Sequence, residues 1–98
     1  MPRYVIERTY TVDIDGMPAV GKRSRVVRNG QFPEIIWEHS HVVLDEDGTV
    51  KSFCVYDAPS VEIVRAHAER LGEHSVDAIY EIAGDVTPED FPLDGNQA

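Results

Sequence analysis

The chain has 98 residues, of which 42% are hydrophobic and 28% are charged, so it suits one small globular domain and excludes a second independent core. Its 18 acidic and 9 basic residues give a formal net charge of −9, which argues against nucleic-acid binding because that binding needs a positive surface. The sequence has no apolar run of the roughly 18 residues that a membrane helix needs, no signal-peptide pattern, and a single cysteine that cannot form an internal disulfide. We therefore expect a cytoplasmic protein that binds neither nucleic acid nor membranes.

The hydrophobic pattern predicts four strands and two helices. Residues 3–12 are rich in β-branched and aromatic types, which is typical of a strand. Ser60 is a suitable cap for a helix that Gly72 ends, and Asn29-Gly30 is expected to end the first helix. The predicted elements, in chain order, are a strand over 3–12, a helix over 17–28, strands over 34–44 and 49–57, a helix over 61–71 and a strand over 76–83.

The order βαββαβ predicts a ferredoxin-like α+β sandwich, in which two helices cover one face of a four-stranded antiparallel sheet. The other face of such a sheet is open to solvent, and we expect a second copy of the chain to cover it in a homodimer. We assign residues 1–84 to this single domain. Residues 85–98 are predicted to form an acidic tail, in which Thr87 begins a short capped turn.

Alternation along the strands predicts which side chains share a face. The sorting assumes that Asp47-Gly48 is a two-residue hairpin turn between the second and third strands. The set predicted to face the helices is Ile36, Val42, Leu44, Phe53 and Val55. The set predicted to face solvent is Trp37, His39, His41, Cys54 and Tyr56, with Val5 and Glu7 from the first strand. A three-residue loop would mix apolar and polar side chains on each face, so we do not expect it.

The predicted open face brings Glu7, His39, His41, Cys54 and Tyr56 together. A carboxylate, imidazoles, a thiol and a phenol suit nickel, zinc, copper or cobalt better than magnesium or calcium. His39 and His41 project to the same side, about 7 Å apart along one strand. A competing interpretation is that the two histidines are a half-exposed polar pair, that Cys54 is a small buried hydrophobe, and that Tyr56 serves packing.

Three ordered motifs lie on the second strand, the third strand and the second helix. They are Trp37-x-His39-Ser40, Cys54-Val55-Tyr56-x-Ala58-Pro59 and Ile63-x-x-x-His67-Ala68. Over about residues 3–83 the chain resembles a bacterial family of small ferredoxin-like proteins of largely unassigned function, which includes an actinobacterial nickel-binding protein. The resemblance implies a ferredoxin-like fold, a homodimer and a nickel site with candidate ligands Glu7, His39, Tyr56 and His67. Because His67 lies on a helix, away from His39, it belongs either to a separate site or to the core.

These observations support three hypotheses for function. The first is a dimeric protein that binds nickel or another divalent transition metal, for buffering or sensing, through the candidate residues Glu7, His39, His41, Cys54, Tyr56 and His67. The second is a small dimeric enzyme of the cyclase, isomerase or cofactor-free oxygenase type, with His39 or His67 as acid–base, Glu7 as its orienting carboxylate and Tyr56 as proton donor. A cavity between sheet and helices would favour it. The third is an interaction domain that meets a partner through its open sheet.

Overall fold

The chain forms the predicted elements in the predicted order, as described by a computed structural model for residues 1–93 and Gly95. The strands and helices are β1 (Arg3–Tyr10), α1 (Met17–Gln31), β2 (Ile36–Leu44), β3 (Val50–Asp57), α2 (Val61–Leu71) and β4 (His74–Glu81). The strands form one antiparallel sheet in the order β2-β3-β1-β4, and both helices pack on the same face of it. The fold is therefore the predicted ferredoxin-like α+β sandwich.

Helix α2 begins at the cap that the sequence supplies, whereas α1 is longer than predicted. The Ser60 hydroxyl accepts a hydrogen bond from the Ile63 N–H at 3.4 Å, and Gly72, with φ of +69°, follows the last residue of α2. Helix α1 continues through Asn29 and Gly30 to Gln31, so the prediction that Asn29-Gly30 ends it is wrong. A side-chain contact stabilises the extension, because Arg28 in this last turn donates to the carbonyl of Ile35, the residue just before β2.

The core lies between the helices and the covered face of the sheet. Strand β1 alternates buried and half-buried residues along its whole length, with Tyr4 and Ile6 facing the helices. Val64 of α2 and Ile35, just before β2, are completely buried beside Ile6. Strand β2 lies at an edge of the sheet, where the helices cover it poorly, so Val42 and Leu44 stay 46% and 58% exposed although they face the helix side.

The hairpin between β2 and β3 has a three-residue loop, so the predicted two-residue turn is wrong. Asp45 donates its N–H to the carbonyl of Thr49 at 2.9 Å, which leaves residues 46–48 as the loop. Gly48 has a φ of +86°, a conformation in which a residue without Cβ is favoured. The Asp47 carboxylate accepts the Thr49 N–H at 3.0 Å and stabilises the same loop. The extra loop residue shifts the pairing of β2 with β3 by one residue relative to the prediction.

A second irregularity lies at the start of β2. Trp37 pairs with Tyr56 and His39 pairs with Val55, so Glu38 is an additional residue on β2. Trp37 consequently packs against the core on the helix side, where its indole N–H donates to the Ser40 hydroxyl at 2.9 Å. The loop and the bulge together place each side chain of β2 and β3 on its observed face.

The segment after β4 is described only in part, because Asp94 and residues 96–98 of the predicted tail lie outside the described residues. Pro88–Asp90 forms the predicted capped turn, in which the Thr87 N–H donates to the Asp90 carboxylate at 2.8 Å. Asp85 pairs with Arg3 of β1 at 2.7 Å. No helix of the described chain has the length and apolarity required to cross a membrane.

The left-handed backbone of the hairpin loop predicts that Gly48→Ala destabilises the protein. A Cβ at a φ of +86° is strained, so we expect the free energy of unfolding to fall by about 1 kcal/mol, measured by urea denaturation. Gly30→Ala is the matched control, because Gly30 lies in α1 with open space around its Cβ position. Alanine there should leave the unfolding free energy unchanged or raise it by up to about 1 kcal/mol. Equal effects of the two substitutions would contradict the loop assignment.

Candidate functional site

The sheet separates the predicted site residues into two groups on opposite faces. Glu7, His39 and His41 lie on the open face, whereas Cys54 and Tyr56 lie on the helix side and are 3% and 1% exposed. The prediction that all five residues share the open face is therefore wrong, and the hairpin register is the physical reason. Because β3 is shifted by one residue relative to β2, its odd-numbered residues rather than its even-numbered ones accompany the histidines.

The same shift reverses the other face assignments. Phe53 and Val55, predicted to meet the helices, lie on the open face opposite His41 and His39. Ile36, also predicted to face the helices, pairs with Asp57 and is 48% exposed. Tyr56 and Trp37, predicted to be open, pack toward the helices. The alternation of β1 was predicted correctly, so Val5 and Glu7 do belong to the open face.

His39 and His41 form a pair on the open face. Their ring centroids are 5.3 Å apart, with an interplanar angle of 76°, and both residues are exposed. Within the described part of the chain, neither imidazole makes a hydrogen bond. Two imidazoles that bind one ion at about 2 Å have ring centroids roughly 4.5–6.5 Å apart, so the observed separation suits a shared ion.

Glu7 does not join this pair. Glu7 lies opposite Phe53 on β3, and Phe53 lies opposite His41 on β2, so two strand spacings, about 10 Å, separate Glu7 from His41. The Glu7 carboxylate instead accepts a hydrogen bond from Lys51 at 2.8 Å, and this bond raises the pKa of the Lys51 ammonium. The predicted convergence within a few ångströms is therefore wrong.

A single chain offers an incomplete metal site. Among residues 1–93 and Gly95, no three His, Cys, Asp or Glu side chains lie close enough together to hold one ion. The imidazoles of His39 and His41 are two nitrogen donors of a type that suits nickel, but two donors alone leave most of a coordination sphere open. Any complete site of this kind needs ligands from another molecule.

His67 is a buried core residue that ties α2 to α1. Its Nε2–H donates to the carbonyl of Ser24 at 3.3 Å, and its ring meets those of Tyr56 and Phe32 edge-on at 5.8 and 5.7 Å. Burial lowers the pKa of His67, which favours the neutral ring. The Ile63-x-x-x-His67 motif thus places a histidine in the helix–sheet interface, away from His39 and His41.

The helix-side group contains a residue that sequence analysis missed, Arg8. It is 1% exposed, and its guanidinium donates to the Tyr56 hydroxyl at 3.2 Å. Burial raises the pKa of Tyr56, against the effect of the Arg8 charge, so the phenol stays neutral. The alternation of β1 contained the signal for Arg8, because position 8 shares the face of Tyr4 and Ile6, where a charge is unexpected.

Beside Arg8 lies a cavity of about 430 Å³ between the sheet and α1. Of the four residues of the predicted catalytic set, His39 and Tyr56 line it, whereas Glu7 and His67 do not. A cavity between sheet and helices is the feature that would favour the enzyme hypothesis, but the acid–base set required by that hypothesis is not assembled there. Its lining residues are Arg8, Tyr10, Met17, Val20, Gly21, Ser24, Trp37, Glu38, His39, Ser40, Val42, Ser52, Cys54, Tyr56 and Leu71.

Solved structures resemble this fold at low sequence identity. SCO4226 from Streptomyces coelicolor A3(2) superposes with a TM-score of 0.62 at 21% identity, over 86% of this chain and 99% of that one. The C-terminal domain of the MgtC protein from Mycobacterium tuberculosis superposes with a TM-score of 0.59 at 10% identity, over 86% and 88%. The de novo designed ferredoxin-fold protein LFR1 1 gives 0.51 at 16% identity, over 88% and 89%. At these identities the likeness establishes the fold alone.

Sequence comparison adds the family. None of the curated proteins has a sequence that matches this chain. A family model described as "Nickel responsive protein SCO4226-like" matches residues 4–82, which cover the four strands and two helices from the second residue of β1 to the end of β4. The chain therefore belongs to the SCO4226-like family of nickel-responsive proteins.

Proposed function

We propose that this protein responds to nickel by binding the ion between His39 and His41 and a second copy of the chain. The observation that carries the proposal is the exposed imidazole pair on β2, with its ring centroids 5.3 Å apart. The family description supplies the choice of nickel among the metals that imidazole suits. A net charge of −9 favours the approach of a cation.

In this proposal, the nickel ligands that one chain lacks come from the second copy of the chain. An ion held by two imidazoles and water is exchangeable, because most of its coordination sphere remains solvent. In a two-fold dimer each chain presents the same surface, so the pair on one chain can face an equivalent pair on the other. Nickel binding and association of the chains are then coupled, and the amount of dimer reports the nickel concentration. This coupling makes the protein a sensor rather than a passive store.

The open face of the sheet is suited to a second copy. Its apolar residues include the half-buried Phe53 and Val55, together with Ile36 and Tyr80, which are 48% and 60% exposed. Its charged side chains are already paired within the chain, as Arg3 with Glu38 at 2.7 Å and Lys51 with Glu7 at 2.8 Å. Covering this face therefore removes apolar area from water without isolating these charges.

The proposed ligands predict loss of nickel affinity when both imidazoles are removed. We expect His39→Asn with His41→Asn to lower nickel affinity by about tenfold or more, because the other two histidines, His67 and His74, lie away from the open face and bond to the carbonyls of Ser24 and Gly72. Titration calorimetry and native mass spectrometry of protein without a histidine tag measure the affinity and the number of ions per chain.

His74→Asn is the matched control, because His74 lies at the start of β4 and donates to the carbonyl of Gly72 at 2.7 Å, away from the open face. The control should keep the affinity of the unsubstituted protein. An affinity unchanged in the double variant, or lowered equally in the control, would remove His39 and His41 from the proposal.

The proposed interface predicts that nickel changes the mass of the protein in solution. Light scattering after gel filtration should show twice the 11.0 kDa chain mass with one equivalent of nickel. Val55→Lys should shift the protein to the monomer, because it places an unpaired ammonium in the middle of the open face. Val26→Lys, at a position 64% exposed on α1, should leave the dimer intact. A Val55→Lys protein that is folded and still dimeric would refute this interface.

A further inference from the structure

A cavity lies on the helix side of the sheet, opposite to the open face that carries the histidine pair. We propose that the cavity between the sheet and α1 binds a small organic monocarboxylate, whose carboxylate pairs with Arg8 and whose apolar body fills the rest of the cavity. The inference does not depend on the nickel proposal, because Arg8 lies on the face of β1 opposite to that of Glu7 and the histidine pair.

Arg8 is a buried cation that has no anionic partner among the residues that the structure describes. Its guanidinium lies 5.5 Å from the centre of the Tyr56 ring and donates one hydrogen bond, from Nη2 to the Tyr56 hydroxyl. Its Nε has no hydrogen-bond partner among the described residues. No described carboxylate lies within 4.0 Å of it. An arginine remains charged at this depth, and an unpaired buried charge is costly to the fold.

The acid at the rim of the cavity does not neutralise Arg8. Glu38 lines the rim, but its carboxylate accepts hydrogen bonds from Arg3 at 2.7 and 3.1 Å on the open-face side. The hydrogen bond from Arg3 lowers the pKa of Glu38 to about 2, so this carboxylate is ionised and committed to Arg3. An anion that enters the cavity therefore meets an unneutralised guanidinium.

Neutral hydroxyl groups line the cavity together with Arg8. Tyr10 and Ser52 share a hydrogen bond of 2.8 Å, and Ser52 lies 3.3 Å from the Cys54 sulfur. Each hydroxyl has a rotatable hydrogen that can turn toward an acceptor. Together with Arg8 they provide donors for carboxylate oxygens and no competing negative charge.

The apolar part of the cavity wall indicates the chemistry of the ligand beyond its carboxylate. Apolar side chains close the cavity from α1, α2 and β2, namely Met17, Val20, Leu71, Trp37 and Val42. The volume of about 430 Å³ falls within the range of roughly 300–1,000 Å³ that small-molecule sites occupy. Arg8 is the single arginine or lysine among the lining residues, so a monoanion balances the site better than a phosphate ester with two charges. The ligand class is thus a monocarboxylate with an apolar body.

Benzoate, hexanoate and 4-methylpentanoate are suitable probes, with benzamide as the uncharged analogue of benzoate. Titration of isotope-labelled protein, without metal and with EDTA present, should shift the amide signals of the cavity residues with each carboxylate. Benzamide should bind about tenfold or more weakly, because it lacks the charge that Arg8 pairs with. Failure of all three carboxylates to shift these signals at millimolar concentration, or equal binding of benzamide, would overturn the proposal.

Two substitutions test the role of Arg8 and of the space beside it. Arg8→Met should reduce benzoate affinity by about tenfold or more while the protein stays folded, because an apolar chain of similar length replaces an unpaired buried charge. Arg70→Met, at an exposed position of α2, is the matched control and should leave binding unchanged.

Gly21→Leu provides the second test, because it keeps Arg8 and fills the cavity. Gly21 lines the cavity from α1, and its Cβ position has no atom within 4 Å. Benzoate binding should be lost in this variant and retained in Gly30→Leu, which lies on the same helix outside the cavity lining. Retained benzoate affinity in Gly21→Leu, or in a folded Arg8→Met protein, would place the carboxylate elsewhere and refute the proposal.

Discussion

The pairing register between β2 and β3 is the constraint on which the rest of the structure depends. Side chains alternate between the two faces of a sheet, so a shift of one residue exchanges every side chain of a strand between solvent and core. The three-residue loop closed by Gly48 and the extra residue Glu38 fix this register. They place Cys54 and Tyr56 under the helices and leave His39 and His41 outside.

The register divides the polar chemistry between two surfaces with different physical character. On the open face the imidazole pair meets water and lies beside apolar area that a second chain can cover. On the helix side the guanidinium of Arg8 is enclosed among hydroxyls, the Tyr56 ring and apolar walls, where electrostatic interactions are stronger than in water. One small domain therefore has room for a metal-dependent contact on one side and an anion on the other.

His39 is the residue through which the two proposed sites would influence one another. It belongs to the imidazole pair, and it also lies at the rim of the cavity, next to the bulge at Glu38. An ion that orders this segment of β2 and a carboxylate that fills the cavity would act on the same stretch of backbone. Because coupling of binding free energies is reciprocal, an effect of benzoate on nickel affinity would be matched by an equal effect of nickel on benzoate affinity.

Local signals such as hydrophobic periodicity, the Ser60 cap and the Gly72 stop were sufficient to predict the elements and the fold, and the motifs carried the family resemblance. The sequence also identified His39 and His41 as a pair, since residues two apart on one strand share a face whatever the register. The residues of β3 that lie beside them depend on the strand pairing, which becomes visible in the folded chain. A two-residue loop and a three-residue loop are nearly equivalent as local structure, and a bulge leaves little trace in the sequence. One added residue in the loop or in a strand nevertheless moves every later residue of that strand to the other face of the sheet. The alternation of β1 placed Arg8 on the helix side, but the groups that surround its guanidinium depend on how β3 and the helices pack around it.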